Sequence, residues 1–368
     1  MSGIYVHVPF CVSKCAYCDF YSLPSRQDSL ESYVQAVLQE AQKYAGMSFD
    51  TLYLGGGTPS LLGAKNLTAL IQGLNKSFNL TGLKEASIEV NPESATPELL
   101  EAAKNQEFSR VSCGVQSLSD YELKSVGRIH TAAQAIAAIK LAQKFGFKAI
   151  SADLMIGLPG QTWTSLRTSL EALANLDIRH LSVYCLTLEE GTKLAKNPPA
   201  DLPSDETQAA LFEETKGYLN SCGYAHYEIS NFALPGFECL HNLNYWWGGE
   251  YLGLGPAAAS HIDGKRFKNY SNLDAYLNNP TGQIEYVEEL SKKEKAAEEA
   301  MLRLRLLEEG LDAIELGRRF GEENVKEVIA RLEKLAQEGL LIKNGSGYRL
   351  TPARILTSNP IFARVIAE

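Results

Sequence analysis

The sequence predicts an α/β fold: a partial (β/α)6, TIM-like barrel followed by a small C-terminal winged-helix-like domain. Three observations carry that expectation. Short β-like runs alternate with amphipathic helical stretches through the first 190 or so residues. Polar and glycine residues recur directly after the β-like runs. Beyond Ser291 the texture changes to dense charge with helical periodicity. Strands separated by crossover helices pair in parallel, and in a barrel the ligand-binding residues gather at the C-terminal ends of the strands. Periodicity alone does not separate a partial barrel from a doubly wound sheet, which stays open as the alternative. At 368 residues the chain exceeds one compact core. The expected division is 1–285, with an irregular aromatic-rich extension over about 190–285, and 286–368.

The elements follow in order. Strands are expected at Ile4–Val8, Thr51–Leu54, Ala86–Val90, Arg110–Val115, Ala149–Met155 and His180–Leu186. Helices are expected near Ser29–Tyr44, Ala64–Phe78, Pro97–Asn105, Thr131–Phe145 and Thr164–Asn175. The first strand leads into a cysteine loop and the second into Gly55-Gly56-Gly57-Thr58-Pro59. The third ends in Glu89-Val90-Asn91-Pro92 and the fourth in Gly114-Val115-Gln116-Ser117. The fifth carries Asp153 and runs into Gly157-Leu158-Pro159-Gly160. A loop over Lys196–Pro203 precedes another helix at Asp205–Ser221. Tyr224–Phe267 is rich in glycine and aromatics and reads as less regular.

Near the C-terminus, Val325, Val328, Ile329, Leu332, Leu335 and Ala336 form one apolar helix stripe, and Gly339 suits a helix stop. Leu340–Lys343 and Tyr348–Thr351 flank Asn344-Gly345-Ser346-Gly347 and read as a hairpin. Such domains often read DNA. Residues 291–368, however, carry 14 Lys and Arg against 13 Asp and Glu, without the basic excess of a DNA reader. Docking or covering a site suits that balance better.

Composition narrows the class. The net charge of −9 disfavours a nucleic-acid binder. No apolar run approaches the ~18 residues of a membrane-spanning helix. Peripheral membrane contact stays open. The start, Met1-Ser2-Gly3-Ile4-Tyr5, has no basic region leading into an apolar stretch, so no signal peptide is expected and a reducing cytoplasm suits the free thiols.

Cys11, Cys15 and Cys18 form Cys-x-x-x-Cys-x-x-Cys, three of only seven cysteines in the chain. Three thiolates on a short loop can hold three irons of a cubane [4Fe–4S] cluster and leave the fourth iron open to a small molecule. Half of a zinc site is the competing reading, but no nearby Cys-x-x-Cys or His-x-x-x-His completes it. His7, in an alternating segment, is expected to point off its strand. The scattered Cys113, Cys185, Cys222 and Cys239 read as structural thiols.

The other candidates sit at strand ends. The Gly55–Gly57 run is neither a dinucleotide fingerprint nor a Walker loop. It is either a tight turn or a place where backbone approaches a ligand closely. Glu89 suits an ammonium group, and Arg128 a carboxylate held by two parallel bonds. Gln116 and Asp153 suit ribose hydroxyls. Each alone is as easily a structural polar residue; together they suit a zwitterionic nucleoside. His241, beside Tyr245, Trp246 and Trp247, suits haem, because imidazole ligates iron and aromatics cover a macrocycle. A packed, hydrogen-bonded histidine is the plainer reading.

The cysteine motif in this context resembles the radical S-adenosylmethionine (SAM) family. The runs Tyr5–Cys11, Gly55–Pro59, Glu89–Pro92, Gly114–Ser117 and Asp153–Gly160, with the C-terminal domain, resemble its oxygen-independent coproporphyrinogen III oxidase group. That resemblance implies that Tyr5, Tyr17, Gly56, Gly57, Thr58, Glu89, Gln116, Arg128 and Asp153 line the SAM site. Two departures divide the group. The oxidase has a further cysteine where this chain has Phe20, and a longer segment ahead of the cluster. His241-Asn242-Leu243-Asn244-Tyr245-Trp246 is similar to the His-Asn-x-x-Tyr-Trp motif of the HemW-type haem chaperones. The resemblance therefore implies a carrier that binds haem, a [4Fe–4S] cluster and SAM and delivers haem to acceptor proteins such as respiratory-chain enzymes. No catalytic residue is assigned. Oxidative decarboxylation of coproporphyrinogen III is the alternative.

Overall fold

The computed structural model describes residues 1–24, 26–282 and 284–367. Six βα units open the chain: β1 (Ser2–Val8), α1 (Leu30–Gln42), β2 (Thr51–Gly56), α2 (Gly63–Ser77), β3 (Glu85–Val90), α3 (Pro97–Asn105), β4 (Arg110–Gln116), α4 (Asp120–Ser125), α5 (Ala132–Lys144), β5 (Ala149–Ile156), α6 (Trp163–Ala174) and β6 (His180–Cys185). The strands lie in sequence order, β1-β2-β3-β4-β5-β6, and every adjacent pair is parallel. A doubly wound sheet reverses its strand order at a switch point; this one never does. With right-handed crossovers, an unreversed order puts all the helices on one face. The barrel alternative is the one realised, as a sector of six parallel strands.

Local chemistry explains the helix boundaries. Thr131 and Gln134 close a capping box at the start of α5, and Thr96 accepts a backbone hydrogen bond from Leu99 just before Pro97 opens α3. The strands carry near-continuous apolar runs because both faces are covered. Ile4, Val6, Leu52, Leu54, Ile88, Val111, Ile150, Ala152 and Leu181 are buried in one core.

Helix α7 (Asp205–Ser221) follows as expected, and the stretch after it, read as less regular, is ordered. It comprises β7 (Ala225–Glu228), β8 (Asn231–Ala233), α8 (Leu240–Trp246), β9 (Glu250–Leu254), β10 (Ala259–Ile262) and β11 (Lys265–Asn269), followed by α9 (Leu273–Asn278) and β12 (Ile284–Glu289). The β7–β8 hairpin pairs antiparallel with β6, while β9 joins the outer edge of β1 in parallel and β10, β11 and β12 continue antiparallel. The result is a 12-stranded sheet. One local signal for this ribbon is Asp263-Gly264, whose φ values of 49° and 73° make the tight turn between β10 and β11.

The C-terminal segment has α10 (Lys292–Arg303), α11 (Ala313–Phe320), α12 (Glu322–Gln337), β13 (Leu341–Asn344), β14 (Gly347–Leu350) and α13 (Ser358–Ile366). The hairpin β13–β14 takes a third strand, Leu311–Asp312, on the β14 side. Val325, Val328, Leu332 and Leu335 form the buried stripe of α12, and Gly339 turns the chain at φ 72°. Helices followed by a wing are the expected arrangement.

Candidate functional site

A cavity of about 330 Å³ opens at the C-terminal ends of β1 to β5. Its wall includes Cys11, Cys15, Cys18, Tyr17, Gly56, Gly57, Thr58, Glu89, Gln116, Arg128 and Asp153. All three cysteines and eight of the nine candidate SAM contacts thus converge. The exception is Tyr5, whose hydroxyl bonds His7 Nδ1 at 3.1 Å and whose ring lines a neighbouring cavity. Lys14 and Phe20 line both cavities. His7 is buried rather than pointing away, with Nε2 on the Tyr21 carbonyl at 2.8 Å.

The glycine run has a packing cause. Gly57 donates its N–H to the Val8 carbonyl at 2.8 Å, and a Cβ there would stand 2.7 Å from the Phe10 carbonyl oxygen. Gly57 thereby ties the end of β2 against the start of the cysteine loop. The tight-turn reading of this motif and its position on the cavity wall hold together.

Asn91, quoted in the sequence but assigned no role, joins the site into one network. Its Oδ1 accepts from Arg128 Nη2 at 2.9 Å and its Nδ2 donates to Thr58 Oγ1 at 2.9 Å. Thr58 Oγ1 lies 3.5 Å from Cys11 Sγ, and Arg128 Nη1 lies 3.5 Å from Cys15 Sγ. A continuous chain of contacts therefore runs from Cys11 through Thr58, Asn91 and Arg128 to Cys15. Arg128 also donates to the Gly114 carbonyl at 2.8 Å. Burial alone disfavours its charge, but Tyr17, Cys15 and Glu93 outweigh that and push its pKa up. The position of Asn91 at a strand end, beside Pro92, was the available signal.

The two carboxylates behave differently from surface acids. Glu89 accepts from the Tyr53 hydroxyl at 2.8 Å and the Gly56 N–H at 3.2 Å. Burial raises its pKa to about 7, with Asp153 adding to the shift. Asp153 accepts from Ser112 Oγ at 3.2 Å, and burial raises its pKa to about 6. Burial also pushes the Cys18 thiol up, against a backbone hydrogen bond at Phe20. Gln116 sits at φ 64° where β4 is bulged, a left-handed conformation that an ordinary residue adopts at a cost of ~1–3 kcal/mol.

His241 is placed elsewhere. It is 1% exposed, behind β1 and β2, with Nδ1 bonded to Thr51 Oγ1 at 2.8 Å and Nε2 to the Tyr245 hydroxyl at 2.9 Å. The Tyr53 ring stacks on it at 5.1 Å, and burial lowers its pKa to about 3. Both ring nitrogens are thus hydrogen-bonded within the protein. Tyr245 and Trp246, from the same segment, do line a cavity.

Residues 5–173 match the Radical SAM superfamily, and residues 290–356 match the HemN C-terminal domain. Heme chaperone HemW of Lactococcus lactis subsp. lactis is 35% identical over 308 residues, covering 83% of this chain and 81% of that one. Heme chaperone HemW of Bacillus subtilis is 32% identical over 379 residues and covers 100% of both chains. The solved coproporphyrinogen III oxidase (HemN) from Escherichia coli aligns at a TM-score of 0.86 and 25% identity, over 100% of this chain and 90% of that one. The chain is a member of the radical SAM superfamily. Within it, the chain belongs to the family of proteins named heme chaperone HemW.

Superfamily membership implies a [4Fe–4S] cluster and SAM, and the donor set fits both. Among the described residues, no three His, Cys, Asp or Glu side chains converge where a single ion could sit. Three thiols on one cavity wall suit a cluster in which each takes a different iron. Two carboxylates and a guanidinium on the same wall match a ligand that carries an ammonium and a carboxylate.

Proposed function

We propose that this protein is a haem chaperone. It binds haem alongside a [4Fe–4S] cluster and SAM, and hands haem to acceptor proteins in the cytoplasm, respiratory enzymes among them. Residues 1–285 form the body that holds cluster and SAM, and residues 286–368 the winged-helix-like end domain. The observation that carries this reading is kinship along the chain with proteins named heme chaperone HemW, over 83% of its length in one case and all of it in another. Phe20 supports it: a ring 65% exposed lines the cluster cavity where the oxidase resemblance asks for a thiol.

In this reading Cys11, Cys15 and Cys18 hold the cluster and SAM occupies its open iron. When reduced, the cluster supplies one electron to whatever lies there. Gly56, Gly57 and Thr58 face the methionine part of SAM, and Glu89 takes its ammonium. Arg128 takes the carboxylate, Gln116 and Asp153 the ribose, with Tyr17 alongside and Tyr5 behind. The chain from Cys11 to Cys15 through Asn91 keeps the thiol loop and the carboxylate-binding arginine in register.

A pH dependence follows. Glu89 and Asp153 have raised pKa values, so without ligand the fold prefers them neutral. The stability this contributes is present below the usual carboxylate range and is lost as pH rises through about 6 to about 7. A bound ammonium offsets that loss by pairing with the ionised form. SAM should therefore bind more tightly above about pH 7 than below about pH 6. Glu89→Gln should flatten the profile and weaken binding by ~10- to 100-fold, the equivalent of ~1.5–3 kcal/mol. Anaerobic calorimetry across that range checks this, and a flat wild-type profile would remove Glu89 from the ammonium.

The functional test is direct. Ferric haem titrated into anaerobic protein should give a shifted Soret band, while coproporphyrinogen III with SAM and a reductant should give no protoporphyrinogen IX. Robust formation of that product would make the protein an oxidase.

A further inference from the structure

We propose that Glu93 and His130 form a buried ion pair that aims Arg128 at the carboxylate of SAM, and that this pair sets how strongly the site selects for that carboxylate. This rests on the reading in which Arg128 takes that group, and adds the residues that stand behind it. Neither side chain lines the cavity. Glu93 follows β3 on the short 3-10 turn Pro92–Ser94, and His130 lies between α4 and α5. The two meet in the interior. The His130 side chain is wholly buried, that of Glu93 is 15% exposed, and His130 Nδ1 stands 3.4 Å from Glu93 Oε2.

A count of hydrogens assigns the contact. His130 Nε2 faces the Val115 carbonyl at 3.1 Å. A carbonyl only accepts, so that nitrogen carries a hydrogen. His130 Nδ1 has two polar neighbours, Glu93 Oε2 and, at 3.3 Å, Arg128 Nη2. Arg128 Nη2 has two hydrogens. Asn91 Oδ1 at 2.9 Å and the Gly114 carbonyl at 2.8 Å take both at shorter range. None is left for Nδ1. Glu93 Oε2 is buried and makes no other hydrogen bond among the described residues. A hydrogen on Nδ1 satisfies both atoms and makes the contact an imidazolium–carboxylate pair. Burial by itself raises the Glu93 carboxyl, but His130 and Arg128 outweigh it and hold it below its usual value.

The aim of Arg128 depends on that hydrogen. Without the carboxylate the imidazole gives it up, and bare Nδ1 becomes an acceptor that competes with Asn91 and Gly114 for Nη2. The backbone does not prevent this. The Arg128 N–H bonds the Leu123 carbonyl at 3.0 Å, and the Ala16 N–H bonds the Val126 carbonyl at 2.9 Å. These bonds fix where the loop lies against the cysteine loop, not where the guanidinium points. The pair keeps Nη2 on its two acceptors and so leaves the remaining hydrogens of the guanidinium for the carboxylate. Glu93 and His130 are thus positioning residues.

Anaerobic calorimetry of cluster-loaded protein tests this with two ligands, SAM and decarboxylated SAM, which keeps the ammonium and the ribose. Arg128→Ala should weaken SAM by ~10- to 100-fold. Glu93→Gln and His130→Gln should each weaken it by ~10-fold, a usual coupling within one hydrogen-bonded network, with iron content unchanged. Neither should alter the affinity for decarboxylated SAM. Glu93→Gln should cost nothing further once Arg128 is alanine. A residue that only supported the fold would weaken both ligands alike. Unchanged SAM affinity in Glu93→Gln and His130→Gln, equal losses for the two ligands, full additivity with Arg128→Ala, or loss of the cluster in both variants overturns the positioning role and leaves the carboxylate reading of Arg128 standing. Unchanged SAM affinity in Arg128→Ala overturns both.

Discussion

Changing Cys11, Cys15 and Cys18 together to alanine should abolish the iron–sulfur centre. Anaerobically reconstituted wild type should hold about four irons per chain, as a cubane requires, and the triple variant close to none. The broad visible absorbance should vanish with the iron. The structure adds a graded expectation. Cys11 and Cys15 are tied through Thr58, Asn91 and Arg128, whereas among the described residues none of these groups hydrogen-bonds Cys18. Asn91→Ala should therefore loosen two ligands at once and shorten the lifetime of the cluster in air without preventing its assembly. Iron content and cluster decay are the measurements. A triple variant that keeps its iron and its absorbance would move the cluster off this loop.

Arg110→Ala should cost the fold about 3–5 kcal/mol, the usual result of leaving one member of a buried ion pair without its partner. Arg110 is 3% exposed on β4 and its Nη2 meets Glu85 Oε2 on β3 at 2.9 Å. The same nitrogen donates to the carbonyls of Phe237 and Glu238, each at 2.9 Å. Glu85 Oε1 in turn accepts from the His241 N–H at 3.2 Å and the Cys239 thiol at 3.3 Å. The pair thus fastens the start of α8 beneath the barrel strands. Urea unfolding should show the midpoint falling sharply. A double variant, Arg110→Met with Glu85→Gln, should recover part of the loss, since no charge is then stranded. A change within ~0.5 kcal/mol for Arg110→Ala, the size of an ordinary surface substitution, would refute the anchoring role.

The parts of this protein visible in its sequence are those set by near neighbours. Pro97–Asn105 and Asp205–Ser221 appear as read, because caps, periodicity and stop signals are local. The strand-end residues of the cavity were legible because a barrel places such positions at one rim. What was hidden depends on distant pairing. The strand order that decides between barrel and doubly wound sheet exists only once the strands meet. The β9–β12 ribbon looked irregular because its strands are short, mixed in polarity and partly exposed; only Asp263-Gly264 announced a turn. His241 was legible as a candidate from its motif and aromatic neighbours, but its hydrogen bonds to Thr51 and Tyr245, one distant and one a helical turn away, were not. Asn91 was passed over because its two partners come from loops after β2 and α4.

The parallel pairing of β1 with β9, in which Ser2 faces Glu250 and Val6 faces Leu254, bears on how the protein is made. The strand that presents Cys11 finds the partner for one of its two edges only in β9, far along the sequence, so that edge stays bare until β9 has been synthesised. An edge strand in that state is open to pairing with other chains. The wall around the three thiols is supplied by residues up to Tyr184, so the site can close while that edge of β1 is still bare, and the edge needs shielding for longer than the site does.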